Sequence, residues 1–359
     1  MVMQRRRFLG AALAASAVPT LSWADAGNPA YLAAAKEPDG SYALYGLGAD
    51  GQPRFRQPLP GRGHAATAHP ARPEAVAFAR RPGTFALVLD CVDGRVLARL
   101  TPPQGRQFNG HGAYSGDGRV LYTSEVVAEG SKGMIGLWDA ARGYRRLGEI
   151  ESHGIGPHEI RRLPGSEVLV VANGGIETDP QDRTPLNLDR MRPNLAYVSP
   201  EGQLLDQVEL PELRQNSIRH LAVRADGQVA FAMQWQGDLF EPVPLLGLHR
   251  RGALPVLAQP LPGEELAMKG YAGSVAFAPG GQNVAITSPR GGRVQGFGPD
   301  GTALWSVARA DICGLGPGRA GFVATDGQGV VASLEGGALR VLTHAPLAWD
   351  NHLVALTQG

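Results

Sequence analysis

Apolar and polar residues alternate with a period of two along most of the chain, which is typical of half-buried β-strands. The stretch HGAYSGDGRVLYTSE, which begins at His111, shows one alternating segment, a turn at Asp117-Gly118 and a second alternating segment. Similar short segments recur throughout, separated by turns among the 49 glycines and 28 prolines of the chain. The pattern predicts an all-β protein built from antiparallel hairpins.

The hairpin at His111 is one copy of an internal repeat. Similar segments begin at His158 and His220, and each places a two-residue turn six and seven residues after the histidine. Related segments begin at the following positions: His64, Gly273, Cys313 and His352. The copies lie about 40 to 60 residues apart, which leaves room for about four short strands in each, the size of a propeller blade.

The last copy, HLVALTQG, contains only a first strand, and three N-terminal segments can supply the others. These segments are YLAAAKE, SYALYGL and PRFRQPL. We therefore predict a single domain over residues 27–359, an all-β, seven-bladed β-propeller whose last blade is closed by N-terminal strands. Six or eight blades are the alternatives. The polar segment 176–194 is longer than a hairpin requires, and it is either a cover for the channel mouth or a surface insertion.

The N-terminus has the composition of an export signal. Residues 1–26 combine a basic start, a short apolar stretch and small residues at Ala24 and Ala26. The apolar stretch is too short to span a bilayer, and Arg5 and Arg6 followed by Phe-Leu fit the twin-arginine pattern. We predict a twin-arginine signal peptide over residues 1–26 and a periplasmic protein, with an ordinary export signal as the alternative.

Charge and motifs exclude several classes of function. The formal net charge is +1, which favours neither nucleic acid nor an acidic membrane, and no later segment is long and apolar enough to span a membrane. Gly-x-Ser-x-Gly, His-Glu-x-x-His and phosphate-binding loops are absent, so no catalytic residue is predicted. Cys91 and Cys313 lie in different repeat copies, and we expect them to stay unpaired.

Five of the nine histidines occupy equivalent positions at the start of a repeat copy. The first strand of a propeller blade lines the central channel, so we predict that these imidazoles converge on the axis and bind a transition metal, iron or copper. The predicted ligands are His64, His111, His158, His220 and His352. The alternative is a polar channel in which they bond to neighbouring blades or water. Competition with protons predicts metal release below roughly pH 6.

Residues next to these histidines are secondary candidates. Glu159, Arg219 and Asn351 are adjacent to ring histidines, where they can orient imidazoles or tie strand ends together. Cys313 occupies a histidine position and is either a soft ligand that favours copper or a small buried residue. His249 and His344 fall outside the repeat position, and we predict that both are surface or loop residues.

The twin-arginine signal and the motifs GHG, GPHEI, SIRHL and WDNHL together resemble an exported bacterial family, domain-of-unknown-function family 1513. This family is related to YVTN-type and WD40-like propellers, and the resemblance covers essentially the whole mature chain. It implies a periplasmic role in iron handling beside imelysin-like or di-haem proteins, and it implies no particular reaction.

Three functions remain open from the sequence. The first is a periplasmic metal-binding propeller that serves iron acquisition or handling. The second is a redox enzyme that depends on copper or iron, which would require an open coordination position. The third is a metal-free scaffold whose faces dock partner proteins. Elemental analysis separates the third from the first two.

Overall fold

In the part of the chain that the structure describes, twenty-eight β-strands form seven sheets of four antiparallel strands each. The structure is a computed structural model that describes residues 21–80, 83 and 85–356. Most of the predicted signal peptide lies outside the described residues, and residues 23–27 form turns in which the Trp23 indole donates a hydrogen bond to the His69 carbonyl at 3.1 Å. The predicted all-β propeller is confirmed.

The sheets are named blades 1 to 7, and the strands of each are given from the channel outward. Blade 1 contains β28 (Ala348–Ala355), β1 (Tyr31–Lys36), β2 (Tyr42–Leu47) and β3 (Pro53–Leu59). Blade 2 contains β4 (Gly63–Ala68), β5 (Glu74–Ala79), β6 (Ala86–Asp90) and β7 (Val96–Leu100). Blade 3 contains β8 (Arg106–Tyr114), β9 (Val120–Val127), β10 (Lys132–Asp139) and β11 (Arg145–Ile155). Blade 4 contains β12 (Pro157–Arg162), β13 (Leu169–Asn173), β14 (Asn194–Val198) and β15 (Leu204–Glu209).

The remaining three blades follow in chain order. Blade 5 contains β16 (Asn216–Val223), β17 (Val229–Trp235), β18 (Leu246–His249) and β19 (Val256–Ala258). Blade 6 contains β20 (Ser274–Phe277), β21 (Val284–Ser288), β22 (Arg293–Phe297) and β23 (Ala303–Ala308). Blade 7 contains β24 (Ile312–Pro317), β25 (Phe322–Asp326), β26 (Val330–Glu335) and β27 (Ala338–His344). The helical elements are single 3-10 turns at Ala140–Arg142, Leu188–Arg190, Pro211–Leu213 and Pro279–Gly281.

The innermost strands form a closed ring around the axis. Strands β4, β8, β12, β16, β20, β24 and β28 contact one another in this order, and β28 returns to β4. Blade 1 joins both ends of the chain, because β28 pairs with β1 in a register that sets Leu353 opposite Ala33. The Tyr31 hydroxyl also donates a hydrogen bond to the Pro317 carbonyl of blade 7 at 2.6 Å.

The hydrophobic core is divided among the seven interfaces between neighbouring blades. Each interface contains one cluster of buried apolar side chains within the described residues. Successive side chains of a strand point to opposite faces, so Leu44 packs towards blade 2 whereas Tyr45 packs towards blade 7. Strand β2 is therefore apolar on both faces, and the outermost strand β23 contains no buried residue.

No helix among residues 21–80, 83 and 85–356 is long and apolar enough to cross a membrane. Cys91 and Cys313 are both buried free thiols, in agreement with the prediction that they stay unpaired.

Candidate metal centre

The innermost strands are interrupted by β-bulges at, or directly beside, the five repeat histidines. The register shifts lie between the following residues: Gly63 and Ala66, Phe108 and Gly112, Pro157 and Ile160, Ile218 and His220, and Trp349 and Leu353. Strand β20, which has no histidine at this position, pairs without a shift, whereas β24, which has Cys313 there, shifts between Ile312 and Leu315. A bulge re-aims side chains that regular pleating would place on a blade face, so here it can turn imidazoles into the channel.

The five imidazoles lie together inside the channel. Eight pairs of their ring centroids are 4.5 to 6.0 Å apart. His111 Nε2 and His64 Nε2 are 3.2 Å apart. Two sets of three bring one nitrogen from each ring to within 4.8 Å of the others, and His111 belongs to both. The sets are His64, His111 and His158, and His111, His220 and His352.

These separations suit coordination of one ion. For metal–nitrogen bonds of about 2.1 Å, ligand nitrogens are about 3.0 Å apart in cis positions and about 4.2 Å apart in trans positions. The 3.2 Å between the His64 and His111 Nε2 atoms falls within this range. All the ligand nitrogens of a set lie within 4.8 Å of one another, which is close to the trans separation.

The cluster is electrostatically suited to neutral imidazole. Burial, reinforced by neighbouring imidazoles and arginines, holds the pKa of His64, His111 and His158 well below the usual value. Burial also lowers the pKa of His220, and it lowers that of His352 to about 3. All five rings are therefore neutral at pH 7, and neutral imidazole is the form that binds metals.

Several ring nitrogens have no hydrogen-bond partner in the part of the chain that the structure describes. These buried atoms are His64 Nδ1, His158 Nδ1, His220 Nδ1 and His352 Nε2. Buried polar atoms are nearly always hydrogen-bonded, so four such nitrogens in one cluster require a partner that the chain does not provide. A metal ion with its water ligands, or ordered water alone, can supply such partners, whereas His220 Nδ1 faces Glu159.

Glu159 is placed to orient one ring of the cluster. Its Oε2 lies 3.4 Å from His220 Nδ1, a contact without hydrogen-bond geometry, and accepts a hydrogen bond from the Leu221 amide at 3.0 Å. Burial raises the pKa of Glu159, but Arg161 and His220 outweigh it and bring the pKa to about 2. A carboxylate beside Nδ1 favours the proton there and leaves Nε2 of His220 for a metal.

The residue before His111, Gly110, occupies a position where a side chain does not fit. Its φ is +91°, and a Cβ at this position would lie 2.6 Å from His64 Cδ2. We expect Gly110→Ala to destabilise the protein by at least about 3 kcal/mol, since it adds a clash with the ring to left-handed backbone strain. Gly105→Ala is the matched control, because Gly105 has φ +76° but open space around its Cα, and we expect it to cost about 1–2 kcal/mol. Equal losses in urea unfolding would contradict the packing argument.

A cavity of about 170 Å³ borders the cluster on one side. Three ring histidines line it, together with two residues predicted from their sequence position, Arg219 and Asn351. The sequence analysis missed these other lining residues: Arg80, Asn109, Arg183, Gln234, Tyr271 and Arg290. The one signal for any of them was the long segment 176–194, because Arg183 belongs to it. Arg183 therefore places this segment beside the cavity that borders the cluster.

Three other candidates lie apart from the cluster. Cys313 faces backbone carbonyls, with Sγ 3.4 Å from both Thr325 O and Asp350 O, and burial raises its pKa to about 12. Neither histidine set includes it.

The prediction that His249 is a surface or loop residue is wrong. It ends β18 and is only 2% exposed, with Nδ1 accepting a hydrogen bond from the Tyr197 hydroxyl at 2.7 Å. His344 is exposed, as expected.

Fold and cluster together define a seven-bladed β-propeller with a histidine-filled central channel. The chain belongs to the family described as "Protein of unknown function (DUF1513)", which matches residues 57–356. Among curated proteins, none matches the sequence significantly.

Solved structures with similar folds have little sequence identity to this chain. "Kuenenia stuttgartiensis Hydrazine Synthase" is 13% identical, with a TM-score of 0.60, and the match covers 93% of this chain and 99% of that chain. The Cps50 (Swd1) β-propeller domain of Myceliophteria thermophila is 18% identical, with a TM-score of 0.53, and the match covers 75% and 80%. A Bacteroides caccae protein of unknown function is 13% identical, with a TM-score of 0.47 and coverage of 77% and 93%. At these identities the likeness extends to the fold alone.

Proposed function

We propose that the protein binds a divalent transition metal through the histidine cluster of its channel. The observation that carries this proposal is the convergence of five neutral imidazoles, four of which have a buried nitrogen without a hydrogen-bond partner in the described chain. Left without any partner, each of these nitrogens would cost about 1–3 kcal/mol. A metal ion with its water ligands would supply partners in the cluster, with His111 as the ligand common to both sets.

The ligand chemistry narrows the choice of ion. Both three-residue sets consist of histidine alone, which suits copper, iron and zinc better than the hard cations magnesium and calcium. Intrinsic affinity favours copper among the divalent first-row ions, so use of iron depends on its supply in the compartment. We propose iron or copper as the bound ion, and iron handling as the role that the family resemblance supports.

We also propose that the mature protein works in the periplasm. The support is the pattern Arg5-Arg6 followed by Phe8-Leu9 in the sequence. The twin-arginine route exports folded proteins, so the ion can be loaded before export, where the cell controls which metal is offered. This matters for a site that would otherwise select copper by affinity alone.

The test is elemental analysis of the protein purified from a periplasmic fraction, followed by reconstitution of metal-free protein with Fe(II), Cu(II) and Zn(II) at neutral pH. We expect about one bound ion per chain, because His111 is shared by both ligand sets. Protein that holds no metal after purification and after all three reconstitutions would overturn the proposal. The metal-free scaffold would then be the better explanation of the fold.

A further inference from the structure

The cavity beside the histidines is lined by an excess of positive charge. Four arginines border it, and none of its lining residues is an aspartate or glutamate. The arginines come from four different places in the fold: Arg80, Arg183, Arg219 and Arg290. A second cavity of about 280 Å³ shares Arg183, Arg219 and Arg290 with the first and contains one carboxylate, Asp182. The two cavities therefore share three arginines beside the cluster.

Three of these arginines, Arg80, Arg219 and Arg290, have only partial charge compensation within the described residues. Arg80 lies 3.7 Å from an Asp350 oxygen, but the same carboxylate accepts a hydrogen bond from Arg62 Nε at 2.6 Å. Arg290 lies over the Tyr271 ring at 4.4 Å, which leaves the guanidinium edge available. Arg219 Nε is buried without a hydrogen-bond partner among the described residues. Several guanidinium groups held close together repel one another, so the arrangement is unfavourable unless an anion binds among them.

The fold holds Arg219 in this position. The bulge between Ile218 and His220 contains Arg219, so the deformation that supplies a cluster histidine also supplies a cavity arginine. Gly174 makes room for it, since a Cβ there would lie 2.9 Å from an Arg219 guanidinium nitrogen. A guanidinium presents a planar pair of donors that matches the oxygens of a carboxylate or phosphate.

We propose that this cavity binds a small oxyanion with at least two negative charges, a dicarboxylate or an inorganic phosphate, held by Arg219 and Arg290. His64, His158 and His220 border the same space, so the anion lies next to the cluster. Contact between this anion and a bound metal rests on the proposed function. Binding of the anion itself does not, because the arginines provide it.

The experiment is isothermal titration of metal-free protein with inorganic phosphate and with malonate, using chloride and acetate as monovalent comparisons. We expect a divalent probe to bind at neutral pH, and to bind more weakly as ionic strength rises. Arg219→Gln and Arg290→Gln should each weaken it at least about tenfold, because each removes charge-assisted hydrogen bonds. The tighter of the two divalent probes identifies the chemical class of the ligand.

Two variants make the result decisive. Arg340→Gln removes an exposed arginine from the outer strand β27 and should leave binding unchanged. His111→Ala should keep anion binding while it loses metal, which separates this proposal from the metal proposal. The oxyanion site is refuted if neither divalent probe binds at millimolar concentration, or if Arg219→Gln and Arg340→Gln have equal effects. Arg219→Lys, which keeps the charge but not the planar pair of donors, should bind with intermediate affinity.

Discussion

Replacing His111 with alanine is expected to weaken metal binding at least about 100-fold. His111 contributes a nitrogen to both three-histidine sets, so no arrangement of the ion within either set avoids it. Loss of a residue that only orients a ligand costs about 10-fold to 100-fold in affinity, and loss of a ligand costs more. The measurement is competition for the ion against a chromophoric chelator, together with the metal content after desalting.

The other ring histidines then show how the ion is held. If one ion uses all five rings, His64→Ala and His220→Ala should weaken binding to a similar extent. If the ion occupies one set of three, only one of these two variants should have a large effect. Either pattern is compatible with the metal centre, and the pattern assigns the coordination.

Two further histidines serve as controls. His249→Ala removes a buried ring whose nitrogens are already occupied by Tyr197 and by the Ala253 carbonyl, so it should lower stability and leave metal affinity unchanged. His344→Ala removes an exposed ring and should change neither property. If His249→Ala loses metal as completely as His111→Ala does, the ion is bound somewhere other than the channel.

The architecture could be predicted from the sequence because each blade of a propeller is a structural repeat, and the blades appear in the sequence as an internal repeat. Each blade repeats an alternating strand and a turn at a fixed distance from the same position, as at His111, His158 and His220. Closure of the ring was also predictable, since a lone last strand needs partners and the N-terminal segments provide them. The repeat position likewise indicated which histidines could meet, although no local spacing connects them.

The bulges and the cavity could not be predicted in this way. A bulge is a change of register between two strands, and nothing in GPHEI or SIRHL taken alone shows where the register shifts. The cavity arginines lie at unrelated positions, so no period gathers Arg80 with Arg290. His249 was misjudged for a similar reason. His249 is buried against Tyr197 of a neighbouring blade, which hydrogen-bonds to it, and a single sequence does not reveal contacts between blades.

Metal-free protein is expected to lose stability steeply as the pH falls below neutrality. In the unfolded chain the ring histidines titrate near pH 6.5, whereas burial in the folded state lowers the pKa of His352 to about 3 and holds those of His111 and His158 far below the ordinary value. The unfolded state therefore takes up protons that the folded state cannot. For histidines with lowered pKa values, the stabilisation is complete above the unfolded pKa and disappears as the pH drops through and below it.

The size of the effect follows from the number of buried rings. Each strongly shifted histidine contributes about 1.4 kcal/mol between pH 7.5 and pH 5.5, so the four rings with strongly lowered pKa values, those of His64, His111, His158 and His352, together contribute about 5 kcal/mol. Whole domains are stable by about 5–15 kcal/mol, so acid unfolding should begin near pH 5. Urea unfolding at several pH values measures it. His344→Ala should show the same profile as wild type, and a free energy of unfolding equal at pH 7.5 and pH 5.5 would contradict the buried, neutral cluster.

The lowered pKa values of the ring histidines also change how bound metal is expected to be released on acidification. Ordinary imidazoles would release it below roughly pH 6, but rings that resist protonation in the folded state hold the ion until the fold opens. A bound ion also stabilises the folded state, so the metal-loaded protein should unfold at a lower pH than the metal-free protein. We therefore expect metal release and loss of tertiary structure to coincide on acidification, followed in one titration by metal content and near-UV circular dichroism. Release well before unfolding would mean that the ligands are accessible to solvent protons, and that the ion is bound at the cavity edge and not within the ring.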